Sequence, residues 1–119
     1  MLNLKLLFTA LLALSLSGEA VASALETPSF RVVVTENCPE GETMCQDVTY
    51  VGTSKTTGKH IQLKGEVLVH MCPDGVTPCH RVGYEFKRGT YVYFVGESGN
   101  LVVTRGGKTI VDEMGKWEL

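Results

Sequence analysis

Val82-Gly83-Tyr84-Glu85-Phe86, then Lys87-Arg88-Gly89-Thr90, then Tyr91-Val92-Tyr93-Phe94-Val95 reads as strand, turn and strand. Aromatic and β-branched residues fill both runs, and Arg88-Gly89 supplies the reversal between them. The pattern continues outward in both directions. Towards the C-terminus lie Leu101-Val102-Val103, Thr109-Ile110-Val111 and Lys116-Trp117-Glu118-Leu119, punctuated by Ser98-Gly99-Asn100, Gly106-Gly107 and Met114-Gly115. Towards the N-terminus lie Val67-Leu68-Val69, the alternating His60-Ile61-Gln62-Leu63-Lys64, Val48-Thr49-Tyr50-Val51 and Phe30–Thr35. Thr57-Gly58 and Gly65 read as breaks between these runs. No segment after the N-terminal leader shows a convincing helical period. Short strands at this spacing predict an all-β fold: a small antiparallel meander closed as a barrel or sandwich, since so short a sheet must close or stack to bury an apolar face. Val67, Val69, Val82, Tyr84 and Phe86 are candidate core residues, with Val92, Phe94, Val102, Ile110 and Trp117. Trp117 is expected to pack the last strand against the sheet.

Two cysteine loops interrupt this pattern, and they match. Cys38-Pro39-Glu40-Gly41-Glu42-Thr43-Met44-Cys45 is followed by Val48 and Tyr50. Thirty-four positions on, Cys72-Pro73-Asp74-Gly75-Val76-Thr77-Pro78-Cys79 is followed by Val82 and Tyr84. At the same offset Lys64–Val69 echoes Ser98–Val103. A fixed internal period is the mark of a duplicated unit, here about 38–71 and 72–105. Four cysteines allow three pairings. The repeat favours the local one, Cys38 with Cys45 and Cys72 with Cys79, which leaves each unit self-contained.

The N-terminus has the anatomy of a secretory leader. Lys5 precedes an apolar run from Leu6 to Leu16, and Ala22-Ser23-Ala24 is a small-x-small cleavage site. The expected division is a leader over 1–24 and a single domain over 25–119. Cleavage after Ala22 is the near alternative. The apolar run is short of the ~20 residues that span a bilayer, so no membrane-spanning segment is expected. Export makes two disulfides the natural use of the cysteines. The periplasm is the expected compartment, with secretion as the alternative.

A formal net charge of −2 argues against a nucleic-acid partner. Acidic residues gather early, as Glu26, Glu36, Glu40, Glu42 and Asp47, and basic residues dominate from Val48 to Lys108. His70-Met71-Cys72 and Cys79-His80 set two imidazoles and a thioether around the second loop, which makes His70, Met71 and His80 an alternative metal site. The first loop has Glu36 and Gln46 at the matching positions. Oxidised cysteines would not ligate. Gly96-Glu97-Ser98-Gly99-Asn100 lacks the spacing of a nucleophile elbow and reads as a hairpin turn. The chain is therefore expected to be non-catalytic and to need no cofactor. The rigid loops have the better claim. Glu40, Thr43, Asp74 and Thr77 are the candidate contacts to a protein or envelope component, in the manner of an enzyme inhibitor. The alternative function is periplasmic metal binding.

Overall fold

A computed structural model describes residues 20–118. The expected leader lies outside the described residues up to residue 19. The described residues are all-β, with nine strands: β1 (Val21–Glu26), β2 (Phe30–Glu36), β3 (Val48–Ser54), β4 (His60–Met71), β5 (Pro78–Arg88), β6 (Tyr91–Gly96), β7 (Asn100–Arg105), β8 (Lys108–Met114) and β9 (Lys116–Glu118). They form one antiparallel sheet in the order β8-β7-β6-β5-β4-β3-β2-β1-β9. Each strand from β1 to β8 pairs with its sequence neighbour, as a meander requires.

The outer strands of that order, β8 and β9, are separated in sequence by Gly115 alone. β8 pairs with β7 and β9 pairs with β1, so one run of chain touches both ends of the sheet and nearly closes it as a barrel. Gly115 makes the switch possible. Its N–H donates to the Gly99 carbonyl at 2.8 Å, and a Cβ there would run into the Glu26 carbonyl. Trp117 then locks β9 down. Its indole N–H lies 3.0 Å from the Glu97 carbonyl, and its ring meets Tyr84 edge-on at 6.4 Å. This is the packing role expected of it.

Alternate residues of each strand face inward. Val32 and Val34 of β2, Val48 and Tyr50 of β3, and Tyr84 and Phe86 of β5 are buried. Leu25, Leu63, Val67, Val95, Leu101 and Val103 complete the interior, each contributing about 1.5–3 kcal/mol by leaving water. Tyr84, Phe86 and Val67 match the expectation, and Val69 packs against the core from its edge. On β6 and β7 the expected face was the wrong one. Val95 and Tyr93 point in where Val92 and Phe94 were expected, and Leu101 and Val103 flank the expected Val102. Ile110 is 49% exposed. Tyr91–Val95 of β6 and Leu101–Val103 of β7 are unbroken apolar runs, so the alternation that fixes register is missing from them.

Gly65 is not a break. β4 runs unbroken from His60 to Met71, and Gly65 faces the Phe86 ring where any Cβ would clash. The halves of the expected repeat are not equivalent structures. Val48 is fully buried and paired with Gly65, whereas Val82 lies in a bulge of β5 between Arg81 and Gly83. β1 includes residues 21–24, which the expected cleavage would remove in part or whole.

Candidate functional site

The meander alternates direction, so the β2–β3, β4–β5 and β6–β7 connections leave the barrel at the same end. The first two are the cysteine loops. The disulfides are Cys38–Cys45 and Cys72–Cys79, the local pairing. The loops are held differently. Cys45 is fully buried, and its carbonyl accepts the Val67 N–H at 2.8 Å, which docks the first loop on β4. Beyond that anchor Pro39, Glu40, Glu42, Thr43 and Met44 are exposed. In the second loop Asp74 organises its own turn. Its carboxylate accepts N–H groups from Val76 at 3.0 Å and Thr77 at 2.9 Å, and the Thr77 hydroxyl at 2.5 Å. These bonds hold the Asp74 carboxyl below the usual carboxylate range. Asp74 and Thr77 thus shape the loop, while Val76 at its tip is 77% exposed.

Between the first loop and the barrel mouth lies a cavity of about 650 Å³. Glu40 and Thr43 line it, together with Glu36, Arg81 and Val21. The other two expected contacts, Asp74 and Thr77, are not part of it. Its floor is a charged network. The Tyr84 hydroxyl donates to the Glu36 carboxylate at 2.7 Å, and the Arg81 guanidinium pairs with the same carboxylate and reaches the Tyr84 oxygen at 3.1 Å. The Arg81 Nε lies 3.4 Å from a Glu97 carboxylate oxygen without an aligned hydrogen bond. Burial, reinforced by the Glu36 carboxylate, pushes the Tyr84 phenol well above its ordinary pKa.

Sequence reasoning missed Glu36 and Arg81 as parts of this site. Glu36 continues the inward series Val32, Val34, and a carboxylate in that series was the available signal. Arg81 owes its inward direction to the bulge beside Gly83, which nothing in the local pattern announces.

His70 and His80 sit directly opposite one another on β4 and β5, with ring centroids 5.1 Å apart, and both are exposed. Met71 lines a separate shallow depression with Met44 and Val69, which includes neither histidine. The Glu42 carboxylate lies within 4.8 Å of the Cys38 and Cys45 sulfurs, but the disulfide leaves no thiolate to ligate a metal. Ser98 lies in the β6–β7 hairpin turn, closed by the Gly99 N–H on the Gly96 carbonyl at 3.0 Å. No helix of the described residues is long and apolar enough to cross a membrane. Two disulfides are consistent with an oxidising, extracytoplasmic compartment.

Comparison with known proteins finds no family model, curated protein or solved structure that matches this chain.

Proposed function

We propose that this is an exported, non-catalytic protein of the bacterial periplasm that binds a protein or envelope component through its cysteine-loop end, as an enzyme inhibitor does. The observation that carries the reading is the placing of two disulfide-closed loops at one end of a stapled barrel. Loops fixed in this way lose little entropy on binding. The first presents Glu40 and Glu42 beside the Glu36–Arg81 mouth, a mostly acidic rim suited to a basic partner surface. The second presents Val76 as an apolar tip. The test is affinity capture from an envelope extract, with the wild type beside a Glu40→Lys/Glu42→Lys variant and a Thr56→Lys control at the other end. A partner held by the wild type and the control but lost by the loop variant supports the reading. The same proteins recovered with all three would count against it.

Metal binding by His70 and His80 is the second reading, supported by their directly paired cross-strand positions with ring centroids 5.1 Å apart. Two imidazoles so placed can share one borderline-soft divalent ion, with water or a partner side chain completing its shell. Titration with Zn²⁺, Ni²⁺ and Cu²⁺, beside a His70→Ala/His80→Ala variant, tests it. Binding that the double variant retains would remove it.

A further inference from the structure

The barrel is also hollow at the end away from the cysteine loops. There the inward faces of β2, β3, β4, β6, β7 and β8 surround a pocket of about 280 Å³. Its wall is almost wholly apolar, built from Phe30, Ile61, Leu101, Val103 and Val111. Gly52 also lines it and makes room for the Tyr50 ring. The Tyr50 ring folds over it, with its oxygen 2.6 Å from where a Cβ would stand.

Tyr50, Tyr93 and Lys59 bring polar groups to this lining. Tyr50 is only 2% exposed, and its ring packs at 5.4 Å on that of Tyr93. Tyr84 spends its hydroxyl on Glu36, but among the described residues the phenolic oxygens of Tyr50 and Tyr93 make no hydrogen bond. Both are phenols whose ionisation burial opposes, so they remain donors at neutral pH. At the rim, in the β3–β4 hairpin, stands Lys59. It is the one charged side chain lining the pocket, and it pairs with no carboxylate among the described residues. Its neighbour Lys55, by contrast, is occupied by Glu26 at 2.8 Å.

We propose that this pocket binds a small amphipathic anion: an alkyl or aryl tail within the barrel, phenolic donors beside it, and a carboxylate head at Lys59. Apolar walls with a few converging polar groups are the usual make-up of a small-ligand site. The limited volume restricts the tail to medium chain length. This site is independent of the loop-borne binding proposed above, since it shares no lining residue with the cavity beneath the first loop.

The test uses octanoate as the probe and octanol as its neutral counterpart, each titrated into ¹⁵N-labelled protein and followed by amide shifts. Saturable octanoate binding is expected, with shifts centred on Gly52, Ser54, Ile61, Val103 and Val111. Lys59→Glu, on an exposed hairpin where folding is not at stake, should weaken octanoate by about fivefold, the worth of one exposed ion pair, and leave octanol unchanged. Val111→Phe should fill the pocket and abolish both. The proposal is overturned if octanoate shows no saturable binding or if the shifts map outside the pocket. Equal weakening of both probes by Lys59→Glu, or no effect of it on either, would also overturn it.

Discussion

The Tyr84 hydroxyl donates to the Glu36 carboxylate at 2.7 Å, joining β5 to β2 across the interior with two strands of sheet between them. Arg81 completes the set, pairing with the same carboxylate. The arrangement closes the barrel floor beneath the first cysteine loop with charge where apolar side chains would otherwise stand. Tyr84→Phe keeps the ring packing and the Glu36–Arg81 pair, so it should cost about 1 kcal/mol. Glu36→Ala leaves the Arg81 guanidinium partly buried without that partner and should cost more, about 1–2 kcal/mol given its partial exposure. Urea unfolding of both variants and of the double variant checks this. Strict additivity would mean that the three groups do not act as a network.

The two staples should differ. Each closes a loop of the same size, and the chain-entropy contribution is about 2–3 kcal/mol for either. Cys45 is also part of the core, so Cys38→Ala/Cys45→Ala adds the loss of buried packing, about 1 kcal/mol more. Cys72→Ala/Cys79→Ala loses only the cross-link, since Asp74 and the Cys72 N–H to Thr77 carbonyl bond at 2.8 Å still hold the turn. Denaturant midpoints of the two double variants, compared under non-reducing conditions, should rank in that order.

Asp74 serves its own loop. Asp74→Ala should leave global stability nearly unchanged while freeing the Val76 and Thr77 amides. Hydrogen exchange at those two sites should accelerate well beyond that at Phe86, and unchanged protection there would contradict the turn role.

The pH dependence follows from the shifted groups. The phenols of Tyr50, Tyr84 and Tyr93 are raised above their ordinary value of 10.0, chiefly by burial. Their folded pKa exceeds the unfolded one, so the folded state holds its protons longer. The stability they contribute is complete below about pH 10 and falls as pH rises beyond it. Glu26, Asp47, Asp74 and Glu113 are lowered, first by side-chain hydrogen bonds from Lys55, Lys64, Thr77 and Ser29 respectively. Their contribution is present above about pH 4.5 and is lost as pH falls below it. A stability plateau between these limits, read from urea midpoints across pH, is the expected profile.

Residues 21–24 matter to the closure. Val21–Ala24 pairs with Val33–Glu36, and Ala24 also faces Glu118. A chain starting at Leu25 should be less stable than one starting at Val21 by about 1 kcal/mol for each ladder hydrogen bond lost. It should also expose the edge of β2. Thermal unfolding of the two purified chains makes the comparison, and equal midpoints would show that β1 contributes little before Leu25.

The all-β class and the meander were readable because turn glycines and β-branched runs alternate along the chain. Disulfide pairing was readable from the repeat, although the repeat does not extend to equivalent halves. The inward faces of β6 and β7 were not readable, since Tyr91–Val95 and Leu101–Val103 offer no polar partner to set their phase. Gly65 reads as a break because a glycine that admits a neighbouring ring looks the same in sequence as one that turns the chain. Of the candidate site, the loops and Glu40 and Thr43 were legible. Arg81 was not, because its direction depends on a bulge, and Asp74 was legible only as a loop acid whose carboxylate the turn itself consumes.

The most direct test of loop-borne binding is photo-crosslinking in living cells, with a photoreactive residue placed in turn at Thr43, Val76, Thr56 and Thr90. The account predicts a discrete crosslinked partner from Thr43 and Val76, at the cysteine-loop end, and none from Thr56 or Thr90 at the other. A partner captured only from Thr56 or Thr90, or from none of the four, would contradict it.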